Sequence, residues 1–516
     1  MAQTGADTAE IQTEHKGLLT VAIMAATLLQ VLDTTIANVA LPHMQASLGA
    51  TQDTISWVLT SYIVASAIAI PITGWLADRY GARALFLVSV ATFVIASMLC
   101  GIATSIEEMV LFRLCQGVAG AFIAPLAQTT MLDINRPSDR AKAMSIYGMG
   151  IMIGPICGPI IGGWLTDNFN WRWVFYVNVP VGAVCFAMLW FLMPHKRTLQ
   201  RKFDLMGFGM LAICLCAFQL LLDRGEHVDW FNSTEIWIEA AVALSFLWIF
   251  VVHLLTAKEP IFPAPMMRDR NFLAGSAFMF VIGMVALSAM AILPSMMQNL
   301  YGYSVLGTGQ LLSSRGIGLL FTMFLVGRIS HLVDARLLIL AGFMLTCTSL
   351  WMMTTWSLEM GWMPFVWSGL VQGLGMGLVF VPVSILTFAT LPGQYRTDAS
   401  SVANLTRNLG SSIGISVVTS QLAQNIQVSH EDMASNFTPD KLPIDPNLVQ
   451  ALGGSGDTIL AMANAELNRQ AAMIAYLDDF KLMLIACAAT VPLLLLLRKP
   501  KAPAGGAKSQ EVHVME

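Results

Sequence analysis

Residues 74–83 read GWLADRYGAR, and residues 327–336 read GRISHLVDAR. Both stretches begin with Gly and end with Ala-Arg, and the second follows the first by 253 positions. Other pairs keep nearly the same distance in the same order. Gln116-Gly117 returns as Gln372-Gly373, and Gly154 with Gly158 returns as Gly410 with Gly414, each after 256 positions. Leu41-Pro42-x-Met44 returns as Leu293-Pro294-x-Met296 after 252 positions. A near-constant offset means two related halves in one chain.

Each half reads as a bundle of membrane helices. The chain has 516 residues, of which 56% are hydrophobic and 12% charged, and its mean hydropathy is +0.66. Soluble domains carry about 25% charged residues. A membrane-spanning helix needs about 20 mostly apolar residues. Fourteen segments qualify: 17–41, 55–76, 84–103, 107–130, 142–165, 173–193, 205–222, 235–256, 273–298, 305–327, 337–356, 362–390, 398–422 and 476–497. The offsets pair spans 1–6 with spans 9–14 and leave spans 7 and 8 between them. The expected fold is therefore an all-α polytopic membrane protein with 14 transmembrane helices arranged 6+2+6. Residues 1–16 form a tail, 17–193 the first bundle, 194–271 the inserted helices with their loops, 272–497 the second bundle, and 498–516 a second tail. Segment 423–475 reads as a long polar loop on the outer face. Repeats of this kind are a transporter signature, with substrate bound near the midplane between the halves.

Lys and Arg set the orientation. With the N-terminus inside, the inner segments hold 20 of the 28 basic residues, and the outer ones hold Arg172, Arg224, Lys441 and Arg469. Both termini are then cytoplasmic. A net charge of −4 offers no basic surface for nucleic acid. All eight cysteines fall in apolar segments, and Cys214-x-Cys216 alone is closely spaced, so neither a disulfide framework nor a metal site is expected. The first 16 residues are polar and the apolar run after them is long enough to span, so no cleavable signal peptide is expected. HExxH and GxSxG are absent. GSGD at 454–457 formally matches an intramembrane aspartyl protease motif, but it falls in the polar outer loop.

An ionisable residue inside a membrane span is costly and marks function by default. Asp33 lies about 12 Å from the outer end of span 1, and Arg113 about 9 Å from the outer end of span 4, at about 1.5 Å per residue. These similar depths allow them to pair if spans 1 and 4 face one cavity. The pair reads as a proton-coupling site, or else as a permanent structural link. Arg315 and Arg407 sit near mid-depth in spans 10 and 13, and with Arg113 they favour lipophilic weak acids or neutral compounds over cations. Gln30, Asn38, Gln116 and Gln372 complete the candidate cavity residues. The repeat is unequal at these points: Asp33 maps onto Val285, Arg113 onto Gly369, and Asp78 onto His331.

Gly150, Gly154, Gly158 and Gly162 recur every four residues in span 5 and form one small-residue stripe. Pro155 and Pro159 remove backbone donors from the same helix. The expectation is a bent, smooth-faced helix packed between the halves. Gly74, Asp78, Arg79 and Arg83 crowd the inner turn after span 2, where Asp78 can lock a neighbouring helix end.

These motifs together resemble the major facilitator superfamily. GWLADRYGAR (74–83) resembles its motif A and LFRLCQGVAGA (111–121) its motif B. GMGIMIGPICGPIIGG (148–163) resembles its antiporter motif C, here with Gly150, Gly154, Pro155, Gly158 and Gly162. LDTTIANVALP (32–42) and WRWVFYVNVPVG (171–182) resemble the fourteen-helix drug:proton antiporters, and in particular EmrB-type multidrug efflux pumps. Ala82 departs from motif A, which often has a basic residue there. The resemblance implies proton-driven export of lipophilic compounds across the inner membrane, with no cofactor beyond the proton gradient. It also implies a periplasmic adaptor of the EmrA type and a TolC-like outer-membrane channel. By motif, Asp33 and Arg113 serve coupling, Gly154 and Pro155 the antiport bend, and Asp78 and Arg83 the inner gate. An uptake symporter shares the fold, and orientation alone does not give the direction of transport.

Overall fold

The computed structural model describes residues 9–194, 201–225, 228–330, 332–435 and 456–497. Among these residues stand fourteen long helices. They are α1 Lys16–Leu48, α2 Thr54–Tyr80, α3 Ala82–Ile102, α4 Ile106–Asp133, α5 Arg140–Asn168, α6 Trp173–Leu192, α7 Leu205–Arg224 and α8 Thr234–Thr256. The second half supplies α9 Arg270–Asn299, α10 Val305–Ile329, α11 Ala335–Met353, α12 Met363–Ala389, α13 Arg396–Ser435 and α14 Gly456–Thr490. Thirteen are long and apolar enough to cross a membrane. The fourteenth, α13, runs among them but is rich in Ser, Thr, Asn and Gln.

Local chemistry sets the helix ends. Thr51 and Thr54 form a reciprocal capping box before α2. The side chains of Asp269, Ser304 and Asp334 accept backbone N–H bonds at the starts of α9, α10 and α11. Gly81, at φ 89°, turns the chain from α2 into α3 within one residue, a backbone angle that L side chains seldom adopt.

The two halves repeat one packing plan. In the first, α1 lies on α5 and α6, α2 on α4, and α3 on α4 and α6. In the second, α9 lies on α13 and α14, α10 on α12, and α11 on α12 and α14. Helices α7 and α8 pack on each other, and α7 also touches α2 and α13. Thr60 of α2 donates to Asp223 of α7, and Ser416 of α13 donates to the Leu222 carbonyl at 2.9 Å. On α8, Trp237, Leu244, Trp248 and Leu255 are exposed, as suits a helix facing lipid. The halves meet along two matching seams, α5 with α10 and α2 with α13.

Segment 423–475 corrects one expectation. Helix α13 continues through Ser435, and α14 begins at Gly456. Most of the expected loop is therefore helix, and 436–455 lies outside the described residues. His430 and Asn464 bond at 2.8 Å, so the two extensions stay side by side. The apolar stretches end near the membrane surface, whereas nothing in the flanking sequence stops the helices there.

The glycine stripe corrects another. A Cβ on Gly150 would lie 2.3 Å from Met24, on Gly154 2.7 Å from Val31, on Gly158 2.1 Å from Thr35, and on Gly162 3.1 Å from Ile36. All four glycines face α1 of their own half. The seam between halves uses a different face, where Ile156 of α5 fills the space left by Gly316 of α10. Helix α5 runs unbroken through Pro155 and Pro159.

Candidate functional site

Asp33 and Arg113 meet inside the first bundle. Both are 0% exposed, and Arg113 Nη1 donates to Asp33 Oδ2 at 2.6 Å. The other carboxylate oxygen, Oδ1, accepts from Gln116 Nε2 at 2.8 Å and from Asn178 Nδ2 at 2.7 Å. Helices α4 and α6 thus converge on one carboxylate of α1. The supports are themselves fixed. Arg113 Nε donates to the Val58 carbonyl at 3.0 Å, and its guanidinium lies 4.5 Å from the ring centre of Tyr62. Asn178 Nδ2 also reaches Ser97 Oγ at 3.0 Å, and Ser97 donates to the Phe175 carbonyl.

Every group on the carboxylate is an N–H donor. An ionised carboxylate is acceptor-only and is matched by such a set of donors. Sequence reasoning found Asp33, Arg113 and Gln116. It missed Asn178, Ser97 and Tyr62 as members of the site.

The decapeptide turn forms a second constellation. Arg201, just before α7, donates through Nη1 to Asp78 at 3.1 Å and to Asp398 of α13 at 2.6 Å. Its Nη2 reaches the Ile261 carbonyl at 3.2 Å. Burial alone would lower the Arg201 pKa, but Asp398 and Asp78 outweigh it and raise it above the ordinary value. Gly74 lies directly against Asp398, because a Cβ there would fall 1.7 Å from Oδ1. Arg83 donates to the Trp190 carbonyl, within its own half, and Arg79 is exposed. Beside this cluster, Arg396 of α13 bonds Asp133 at 2.9 Å and Glu10 at 2.5 Å. Ser400 and Asn404 of α13 both donate to Gln128 Oε1 of α4. The two halves are thus tied at this end by one continuous polar seam.

The remaining candidate cavity residues are spread over both halves. Gln30 and Asn38 lie on α1 but are not among the groups bonding Asp33, and Asn38 is exposed. Arg315 and Gln372 lie on crossing helices of the second half, α10 and α12, where a Cβ on Gly373 would lie 2.0 Å from the Arg315 carbonyl oxygen. Arg407 stands on α13 within electrostatic reach of Tyr147 on α5, across the halves. Asp479 of α14 is 0% exposed and neither carboxyl oxygen has a hydrogen-bond partner.

Known proteins share these features. The Major Facilitator Superfamily model matches residues 23–415. Multidrug export protein EmrB of Escherichia coli strain K12 is 36% identical over 427 residues, covering 82% of this chain and 83% of that one. Fatty acid resistance protein FarB of Neisseria gonorrhoeae is 32% identical over 492 residues, covering 95% and 97%. The crystal structure of the human organic anion transporter MFSD10 (TETRAN) superposes with a TM-score of 0.58 at 12% identity, covering 92% of this chain and 99% of that one, a likeness of fold alone. The doubled bundle, the buried pair and these likenesses agree on a transporter rather than an enzyme: the chain belongs to the major facilitator superfamily, as an EmrB-type multidrug efflux transporter of the inner membrane.

Proposed function

We propose that the protein is a proton-driven antiporter that exports lipophilic compounds, weak acids among them, with both termini in the cytoplasm. The observation that carries this reading is the carboxylate of Asp33, held at 0% exposure by Arg113, Gln116 and Asn178. Loading a proton removes the charge that the three donors hold, and the donor set then favours another arrangement. A proton gradient can drive the halves between two states if their affinities for that proton differ. The seam around Arg201 and Arg396 is the cytoplasmic gate in this reading, closed in the conformation described. Weak-acid substrates fit the arginines at 315 and 407 and the likeness to a fatty acid resistance protein, FarB. A periplasmic adaptor of the EmrA type and a TolC-like outer-membrane channel would carry the substrate onward.

Proteoliposomes with an imposed pH gradient and a fluorescent lipophilic dye test the reading. The parent is expected to move dye against its gradient and to stop when an uncoupler is added. Asp33→Asn should lose gradient-driven transport while remaining folded. If Asp33→Asn transports as well as the parent, Asp33 is a structural residue and coupling lies elsewhere. Dye moving in the same direction as the protons would make the protein an uptake symporter instead.

A further inference from the structure

The carboxylate of Asp204 clips together the start of α7, the end of α8 and the segment leading into α9. It stands one residue before α7, and its Oδ1 accepts the Gly207 N–H at 2.8 Å, which caps the helix. Its Oδ2 accepts the Ile261 N–H at 3.1 Å, from the connection between α8 and α9. His253, in the last turn of α8, brings Nε2 to 3.0 Å from both oxygens. A carboxylate only accepts, so Nε2 carries the hydrogen and donates it. The Asp204 side chain is 8% exposed, so these bonds form largely out of water.

That clip reaches the gate through one peptide. Asp204 holds the Ile261 N–H, and the Ile261 carbonyl accepts from Arg201 Nη2 at 3.2 Å. The same guanidinium donates through Nη1 to Asp78 of the first half at 3.1 Å and to Asp398 of the second at 2.6 Å. The peptide is itself anchored. Ile261 and Phe262 are each 4% exposed, and Phe262 stands edge-on to Phe250 of α8 with ring centres 6.3 Å apart. At the other end of the arginine, Trp75 Nε1 of α2 donates to the Arg201 carbonyl at 3.1 Å, and the Trp75 ring lies 4.5 Å from that of Phe203. An arginine side chain has many rotamers to lose, so a single productive one needs fixed supports. Here the backbone is fixed from the first half and the guanidinium from the insert. Displacing that guanidinium leaves two carboxylates, one on each half, with no shared cation, and like charges repel.

We propose that the inserted helices α7 and α8 are the mount of the gate cation, with Asp204 as its positioning residue: together with His253 it holds the Ile261 peptide, and the peptide aims Arg201 between the halves. The inference deepens the gate reading, on which it rests, by giving the two extra helices a task in it. A glycine makes the arrangement possible. A Cβ on Gly207 would lie 2.2 Å from Asp204 Oδ2, the oxygen that holds Ile261. Any larger residue at 207 therefore pushes that oxygen off the peptide without removing a polar group.

Full-length protein in lipid nanodiscs, with spin labels at exposed positions 136 and 394, one on each half, provides the test. Asp204→Ser is the first variant. Serine caps a helix as well as aspartate does, so α7 keeps its first turn, but one short hydroxyl cannot also hold Ile261 and His253. Gly207→Ala is the second, and Gly209→Ala, with nothing within 4 Å of the new atom, is the control. Asp204→Ser and Gly207→Ala should each add a longer-distance population at least half as large as the one Arg201→Gln adds, and Gly209→Ala should match the parent. Placed on top of Arg201→Gln, neither should add more, because a positioning residue has nothing left to position. If Asp204→Ser fails to fold, Gly207→Ala decides. Parent-like distances in both variants beside an opened Arg201→Gln overturn the mount and leave the gate standing. So do effects that add in full to that of Arg201→Gln, since they mark a structural role apart from the arginine. A parent-like Arg201→Gln overturns the gate reading itself, and this inference with it.

Discussion

At the scale of single residues, the Asp33–Arg113 link decides more than its size suggests. A buried ion pair is a weak source of net stability, but removing one partner strands the other and costs about 3–5 kcal/mol. Arg113→Leu should therefore lower the melting temperature in detergent clearly, whereas the double variant with Asp33→Asn should recover part of the loss. A double-mutant cycle should return a coupling of about 1 kcal/mol or more, and strictly additive losses would show that the pair does not act as a unit. The two residues were legible because ionisable side chains are rare in membrane spans and helix rise converts position into depth. Asn178 and Ser97 were not, since small polar residues are common in spans and nothing local separates a ligand from a packing residue. Arg201 was hidden for another reason: it lies in a connection, where a basic residue reads as a topology signal.

At the scale of elements, periodicity gave the number of helices and the pairing between halves, but not their ends or their faces. Helix α13 keeps its helical course through a polar sequence because its small side chains pack against α9, and several of its Ser and Thr hydroxyls bond back to the preceding turn, as Ser401, Thr406 and Ser411 do. The stripe on α5 was visible as a stripe. Its partner was not, because four glycines in a row along one face do not say which neighbour they admit. The structure names α1, and this has a measurable consequence. Gly158→Leu must push α1 away, since even the Cβ would lie 2.1 Å from Thr35 Oγ1. Because Thr35 is half a turn from Asp33 on the same helix, the substitution should reduce gradient-driven transport at least tenfold and lower the melting temperature. Gly163→Ala, with nothing within 4 Å of the new atom, should match the parent in both measurements.

At the scale of the whole molecule, the sequence repeat foretold two related bundles, and the structure adds that they are fastened at one end by Asp78–Arg201–Asp398 and by Arg396 with Asp133. Arg201→Gln should loosen that end. Spin labels at the exposed positions 136 and 394, one on each half, should report a single short distance in the parent and an added longer population in the variant. An unchanged distance distribution would remove Arg201 from the gate. The internal pairing also bears on how the protein is made. Asp33 and Arg113 are 80 residues apart in the chain. At about 5–20 residues per second of synthesis, the acid leaves the ribosome about 4–16 s before its neutralising partner. An unpaired carboxylate costs about 2.5–3.5 kcal/mol at the centre of a membrane helix, a cost that α1 carries until α4 arrives with Arg113. Stable insertion of α1 would then wait on the synthesis of α4.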